Sequence, residues 1–146
     1  MERTPIHRLA PSLRSRVSYA MLAVGAIVLG LGVHLQGNAL GPTLRDVVGD
    51  ALWAAMIAWW VAAVVPAASV RDRSFAALAI CFAVEVSQLY HTPALDALRR
   101  TMVGQLTLGS GFDPRDLLAY VLGVLATVLF EVTPWRRLRR TSHRAM

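Results

Sequence analysis

The sequence predicts an all-α integral membrane protein with four transmembrane helices arranged as two hairpins. Hydrophobic residues make up 55% of the 146 residues, which is more than the roughly 45–50% usual for a soluble domain. Four apolar segments of 16–22 residues occur in the chain, and a helix needs about 20 residues to cross the bilayer core. Too little polar chain remains to cover four such helices in water, so we expect them to contact lipid.

The first predicted helix follows a basic N-terminal stretch, residues 1–16. Its apolar run is long for a signal peptide and no Ala-x-Ala cleavage site follows, so we expect an uncleaved signal-anchor helix. The predicted spans, which form one membrane domain over residues 17–132, are 17–35, 47–68, 74–91 and 117–132. A second basic stretch, residues 133–146, follows the last span.

The arginines predict how the helices are oriented. All 15 basic residues are arginine, and the formal net charge is +6. With four spans the two termini share a side; that side holds eleven arginines, against four on the other: Arg45, Arg99, Arg100 and Arg115. Since arginine-rich segments stay in the cytoplasm, we expect a multi-pass membrane protein with both termini cytoplasmic. The tail is interpreted as an anchor to lipid headgroups, so nucleic acid is not an expected partner.

The second outer loop, residues 92–112, is predicted to contain a short amphipathic helix. Its apolar residues recur at helical spacing, at Leu95, Leu98, Met102 and Leu106. Such a helix would lie on the outer membrane surface. A re-entrant segment is the alternative.

Glu85 is the most unusual residue because it lies in an otherwise apolar run, ICFAVEV. A charge inside a span costs roughly 2.5–3.5 kcal/mol on insertion scales, so such a residue is expected to face the bundle interior. Glu85 is then either protonated or paired with a cation. We expect Arg99 or Arg100 to be that cation, with Arg45 and Arg115 as alternatives.

The polar residues of the predicted spans and second outer loop fall in the outer half of the membrane, and the inner half is nearly free of them. The outer set is Asp50, Glu85, Gln88, His91, Arg99, Asp113, Asp116 and Tyr120. Several also have a structural interpretation. Asp113 precedes Pro114 and is expected to be a helix N-cap, Asp116 suits the first turn of that helix, and His91 suits the membrane interface.

Three motifs resemble the VanZ-like family of small bacterial membrane proteins. They are Glu85-x-x-Gln88, a segment carrying Arg99 and Thr101, and Asp116-x-x-x-Tyr120-x-x-Gly123, within a resemblance that covers roughly Gly49 to Gly123. Tyr120 stands where that family's pattern has Asn, and the linking segment is longer, which is typical of a sister subfamily. The resemblance implies an envelope role in the bacterial plasma membrane. The resemblance and the assignment of polar residues to the outer half of the membrane together predict the binding residues. These are Asp50, Glu85, Gln88, Arg99, Arg100, Thr101, Asp116 and Tyr120.

The favoured function is binding of an anionic lipid headgroup or a lipid-linked cell-wall precursor in an outward-facing polar pocket closed by the Arg99 loop. The alternative is a membrane hydrolase or transferase acting on a lipid-linked substrate, with Glu85, Asp116 and His91 as catalytic candidates. No nucleophile–base pair with an established spacing supports that alternative. A structural or accessory subunit is a third hypothesis, and the bare inner half argues against a fourth, a proton-coupled transporter.

The cysteine and histidine residues indicate neither a disulfide nor a metal site. Cys81 is the single cysteine, so no intrachain disulfide can form. The sequence contains no Cys/His cluster of metal-ligand spacing, and neither a metal nor another cofactor is expected. Membrane lipids are the expected partners, and a homo-oligomer remains open.

Overall fold

The protein is helical throughout the part described by its computed structural model, residues 9–36, 40–104 and 111–142, apart from turns and short connections. In chain order the helices are α1 (Leu9–Gln36), α2 (Pro42–Val64), α3 (Val70–Ser87), α4 (Pro93–Arg99) and α5 (Pro114–Ser142), with a further helical turn at 102–104. No strand occurs within those ranges. The predicted all-α class is therefore confirmed. Residues 1–8 and 143–146 of the predicted basic ends lie outside the described residues, as does Leu106.

Three of the helices are long and apolar enough to cross a membrane: Ser15–Gln36, Pro42–Val64 and Pro114–Thr133. They correspond to the first, second and fourth predicted spans. The third predicted span, 74–91, is not among them. Its helix, α3, has 18 residues and carries Arg71, Asp72, Arg73 and Glu85.

The ends of α3 differ from the prediction because capping, and not hydrophobicity, sets them. The helix starts at Val70 because the Ser69 side chain accepts a hydrogen bond from the backbone N–H of Asp72. It ends at Ser87, and the next residues form a turn in which the N–H of Tyr90 donates to the carbonyl of Ser87. The helix thus begins and ends four residues earlier than predicted.

Helix α4 lies in the loop predicted to carry an amphipathic helix, but it ends at Arg99, before Met102. The Thr92 side chain caps it by accepting from the N–H of Leu95 at 3.2 Å. Leu98 and Met102 are 51% and 61% exposed. A short helix in this loop is therefore present, and its position on a membrane surface stays a prediction.

Helix α2 packs against α1, α3 and α5. Helices α2 and α5 run in the same direction, since Trp53 lies against Tyr120 and Trp59 against Phe130, with ring centroids 5.4 and 5.8 Å apart. Helix α1 runs the opposite way, because Tyr19 near its start stacks on Trp59 near the end of α2. We call the end of the bundle at which α2 and α5 begin the cavity end.

The interior of the bundle is made of small side chains and its surface of large apolar ones. The buried core contains alanines Ala54, Ala58 and Ala77 together with Cys81. Met21 and Leu118 are 70% and 69% exposed, and many other large hydrophobic side chains are also exposed. Small residues let membrane helices approach closely, while large apolar ones face lipid. The distribution is that of a membrane protein.

The end of the bundle opposite the cavity end is not free of polar groups, which corrects the sequence prediction. Arg73 of α3 pairs with Glu131 of α5 at 2.6 Å, and the two side chains are only 7% and 16% exposed. The Tyr19 hydroxyl also donates to Glu131, and the Arg73 guanidinium lies 5.2 Å from the centroid of the Tyr19 ring. This group links α1, α3 and α5.

Candidate functional site: a polar cavity at one end of the bundle

Glu85, on the last turn of α3, is completely buried and accepts three hydrogen bonds. Its Oε2 accepts from Gln88 Nε2 at 3.1 Å and from the Tyr120 hydroxyl at 2.8 Å. Its Oε1 accepts from the backbone N–H of Asp113 at 2.8 Å. One carboxyl group therefore ties the end of α3 to the start of α5, and its partners are neutral donors and not the arginine expected from the sequence.

The start of α5 is built as predicted around Asp113 and Pro114. The helix begins at Pro114, and Asp113 Oδ1 accepts from the backbone N–H of Arg115 at 2.9 Å. Asp113 thus caps the helix with its side chain while its own N–H is held by Glu85. These two hydrogen bonds set the position of the first turns of α5 along the bundle axis, and therefore which of its residues face α2.

Helix α5 presents one continuous face to α2, carrying Asp116, Tyr120 and Gly123. Residues four and seven apart lie on the same side of a helix. At Gly123 a Cβ atom would lie 2.1 Å from the carbonyl oxygen of Ala51, so only glycine allows the two backbones to come this close. The close approach of the two helices leaves Asp50 of α2 and Asp116 of α5 at the same end of the bundle, near the point at which each helix begins.

A cavity of about 700 Å³ lies at this end of the bundle, among α1, α2, α5 and the end of α3. One wall comes mainly from α1 and is largely apolar, with Ala26, Ile27, Leu31 and Val33. Apart from His34, the polar and charged lining residues come from α2, the end of α3 and the start of α5, and we call this side the polar wall: Arg45, Asp46, Asp50, Gln88, Asp113, Asp116 and Tyr120. The same elements also contribute the apolar residues Leu52, Trp53, Met56 and Val84. The cavity could hold a ligand that is apolar on one side and polar on the other.

A comparison with known protein families matches residues 40–124 to the family described as "Protein of unknown function (DUF2809)". The match covers more than half of the chain. The chain belongs to the DUF2809 family. No solved structure matches it. The DUF2809 region contains the polar wall of the cavity, with Asp50, Gln88, Asp116 and Tyr120, whereas the apolar wall from α1 precedes it.

Five of the eight predicted binding residues meet at this DUF2809 cavity. Asp50, Gln88, Asp116 and Tyr120 line it, and Glu85 lies directly behind Gln88 and Tyr120. The remaining three, Arg99, Arg100 and Thr101, are not among the described lining residues. The Arg99 loop still contributes to the wall, through Val103.

Arg99 does not pair with Glu85, which corrects the expected ion pair. Its guanidinium donates to the carbonyls of Ser87 and Tyr90 at 2.8 and 2.9 Å. The last carbonyls of a helix lack intrahelical donors, and an arginine can satisfy them. Arg99 is therefore a cap for the end of α3. It also lies 3.5 Å from Asp96, one turn back in α4.

The other predicted residues of this loop also have local roles. Arg100 donates to the carbonyl of Asp96 at 3.3 Å, and the Thr101 hydroxyl donates to the carbonyl of Leu98 at 2.7 Å. His91, a catalytic candidate, is 64% exposed and contacts Asp96 at 3.1 Å. The three catalytic candidates are thus separated: Asp116 in the cavity, Glu85 behind its wall, and His91 outside its described lining.

Sequence reasoning missed several lining residues. Trp53 was not among the predicted site residues, yet it lines the cavity and lies against Tyr120. Arg45 was an alternative partner for Glu85 and instead lines the cavity beside Asp46, 3.6 Å away. The spacing of Trp53 from Asp50, one helical turn, was the available signal. In the described part of the chain no group of three or more histidine, cysteine or acidic side chains could hold a metal ion.

Proposed function

We propose that this protein is a four-span protein of the bacterial plasma membrane that binds the headgroup of a phosphate-bearing amphiphile in this cavity, in an envelope-related role. The observation that carries the proposal is the amphipathic lining: the α1 side is largely apolar, and all the charged and polar lining residues except His34 come from α2, the end of α3 and the start of α5. A volume of about 700 Å³ lies within the roughly 300–1,000 Å³ range of ligand sites. The amphiphile is a membrane phospholipid or a lipid-linked cell-wall precursor, and Arg45 is the lining arginine that can contact its phosphate.

The four-span arrangement rests on how α3 is placed. Its composition is not that of a lipid-facing span, but Glu85 and Arg73 are 0% and 6% exposed and both are bonded inside the bundle. Charged residues within a membrane protein face the interior and find partners in this way. With α3 crossing, the arginine-rich termini share the cytoplasmic side and the cavity end faces outward.

The envelope role is supported by the resemblance to VanZ-like proteins. Three residues of the resembling motifs, Glu85, Gln88 and Tyr120, form one hydrogen-bonded group behind and along the polar wall. Tyr120, which replaces an asparagine of that pattern, supplies a donor to Glu85 through its hydroxyl. The substitution therefore keeps a hydrogen-bonding group at this position.

Binding fits the geometry better than hydrolysis or group transfer. An acid–base residue must reach the atom whose proton it moves. Glu85 is fully buried and occupied by three donors, and His91 is not among the described lining residues, so only Asp116 of the three catalytic candidates lines the cavity. Glu85 is accordingly a positioning residue that holds Gln88, Tyr120 and the start of α5 in place.

The proposal is tested by filling the cavity. Gly49 lines the cavity and has nothing within 4 Å of an added Cβ, so Gly49→Phe places a ring in open space. Gly25 is equally open but is not among the described lining residues, which makes Gly25→Phe the matched control. We expect native mass spectrometry to show a bound amphiphile on wild type and Gly25→Phe and its loss from Gly49→Phe. Equal retention by both variants would refute the proposal.

The four-span topology is tested by labelling single cysteines in whole cells with a membrane-impermeant maleimide. Leu40, Val65 and Phe112 are 43%, 44% and 39% exposed, so their side chains are equally accessible. We expect labelling of Leu40→Cys and Phe112→Cys but not of Val65→Cys. Cys81 is buried and can stay. If α3 did not cross, Leu40→Cys and Phe112→Cys would lie on opposite sides and only one would react.

A further inference from the structure

The charges that line the cavity favour a cationic group at its polar wall. Four aspartates line it, against one arginine and one histidine. Two of the aspartates already have partners within the protein. Asp46 forms an ion pair with Arg45 at 3.6 Å, and Asp113 accepts a hydrogen bond from the backbone N–H of Arg115 at the start of α5. Asp50 and Asp116 remain, and none of the ion pairs in the described residues includes either of them.

Asp50 and Asp116 form a pair of acids that calls for a positive partner. Both line the cavity and both are partly buried, Asp50 on α2 and Asp116 on the first turn of α5. Two adjacent carboxylates repel unless they share a proton or bind a cation. The close α2–α5 contact at Gly123 keeps the two groups together, because neither helix can move away without losing that packing.

Gln88 gives an independent sign of a missing donor. It lines the cavity, is only 4% exposed, and its Oε1 has no hydrogen-bond partner among the described residues. In the structure the Nε2 atom of Gln88 donates to Glu85, which leaves the Oε1 atom as the unpaired acceptor. A buried acceptor left unpaired is destabilising, and a ligand N–H would supply the missing hydrogen bond.

We propose that Asp50, Asp116 and Gln88 bind the primary ammonium group of an amphiphile headgroup. A primary ammonium carries three N–H donors and one positive charge, which matches two carboxyl groups and one amide oxygen. Arg45, at the first turn of α2, then contacts the headgroup phosphate. The ligand class is an aminophospholipid of the ethanolamine type, and not the purely anionic lipid expected from the sequence. This inference rests on the proposed function and names the ligand of the same site.

The chemistry of the site excludes two close relatives of this headgroup. A trimethylammonium headgroup has the charge but no N–H donors, so it cannot satisfy the three acceptors. A glycerol headgroup carries no positive charge and would leave Asp50 and Asp116 uncompensated. The preference among the three headgroups therefore reports on the ammonium site alone, since the acyl chains can be kept the same.

The test is competitive binding of phosphatidylethanolamine, phosphatidylcholine and phosphatidylglycerol, with identical acyl chains, to delipidated protein, followed by native mass spectrometry. We expect a preference of at least about tenfold for phosphatidylethanolamine, since charge-assisted hydrogen bonds are worth about 1.5–3 kcal/mol. The double variant Asp50→Asn/Asp116→Asn should lose that preference. The control Asp72→Asn, which neutralises an exposed aspartate at the other end of the bundle, should keep it.

Equal binding of the three lipids by wild type, or an unchanged preference in the double variant, would overturn the ammonium site. Equal binding would leave the proposed function intact, provided that Gly49→Phe still abolishes retention. Soluble phosphoethanolamine that competes as strongly as the lipid would support the ammonium site and assign its source to a free amine. Arg99→Ala should not change the headgroup preference, because Arg99 caps α3 and is not among the described lining residues.

Discussion

Replacing Glu85 with alanine leaves three hydrogen-bond donors without an acceptor. This substitution is therefore the most informative test of the structure behind the cavity. The Tyr120 hydroxyl and Gln88 Nε2 are buried, and the N–H of Asp113 is partly buried. A hydrogen bond between membrane helices is worth about 0.6 kcal/mol on average and up to about 1.7. For three donors we expect Glu85→Ala to lower the free energy of unfolding by roughly 2–5 kcal/mol.

Glu85→Gln is the matched variant because it keeps the size of the side chain. When the new amide nitrogen replaces Oε2, the Tyr120 hydroxyl can rotate to accept and the Gln88 amide can turn over, while the oxygen still accepts from Asp113. The loss should then be about 1 kcal/mol, the value of one ordinary hydrogen bond. Tyr120→Phe removes a single donor and should cost a similar amount.

The assay is unfolding by sodium dodecyl sulfate in mixed micelles, followed by tryptophan fluorescence. Four tryptophans are present, and Trp53 lies against Tyr120, 5.4 Å between ring centroids. The expected order of destabilisation is Glu85→Ala well above Glu85→Gln and Tyr120→Phe. An alanine variant as stable as wild type, or a glutamine variant as unstable as the alanine one, would refute the hydrogen-bond account of Glu85.

Two further predictions concern packing and charge away from the cavity. Arg73→Met should lower the free energy of unfolding by about 3–5 kcal/mol, because it leaves the Glu131 carboxylate largely buried without its ion-pair partner. The double variant Arg73→Met/Glu131→Leu should recover most of that loss. Equal instability of the single and double variants in the same unfolding assay would contradict this. Gly123→Ala should cost about 1–3 kcal/mol or more by forcing its Cβ against Ala51. Gly25→Ala, with open space around its Cβ, should be close to neutral, and an equal cost for both would show that the α2–α5 contact is not tight.

The helices could be predicted because each depends on a local feature, the length of an apolar run. Their ends were less predictable, since these depend on caps such as Ser69, which moved α3 four residues toward the N-terminus. The number of spans was harder still. The charges of α3 remove it from the helices that are apolar enough to cross, although Arg73 and Glu85 are buried in the bundle.

The sequence predicted which half of the membrane the residues of the candidate site occupy. It did not predict all the contacts that their side chains make. Asp116 and Tyr120 were expected on one face of α5, and both line the cavity. Arg99 was expected to pair with Glu85 because both were assigned to the outer half of the membrane and Arg99 lies in the loop that follows the Glu85 helix. The fold of α4 instead aims the guanidinium at the carbonyls that end α3. The sequence alone does not show toward which neighbouring groups a short helix such as α4 directs an arginine side chain.

Long-range pairs lay beyond sequence reasoning for the same reason. Arg73 and Glu131 are 58 residues apart, and only the packing of α3 on α5 brings them together. The close contact of Gly123 with Ala51, at the end of the bundle that holds Asp50 and Asp116, is also a property of two helices and not of either one.

The central claim is that the cavity holds an amphiphile with its headgroup at the polar wall. The most direct measurement is an experimental structure of the protein in nanodiscs made with its own membrane lipids. The account predicts density for one headgroup in contact with Asp50 and Asp116, continuing into an acyl chain along the α1 wall near Ile27 and Leu31. A cavity that holds only water, with lipid confined to the outer surface of the bundle, would contradict it.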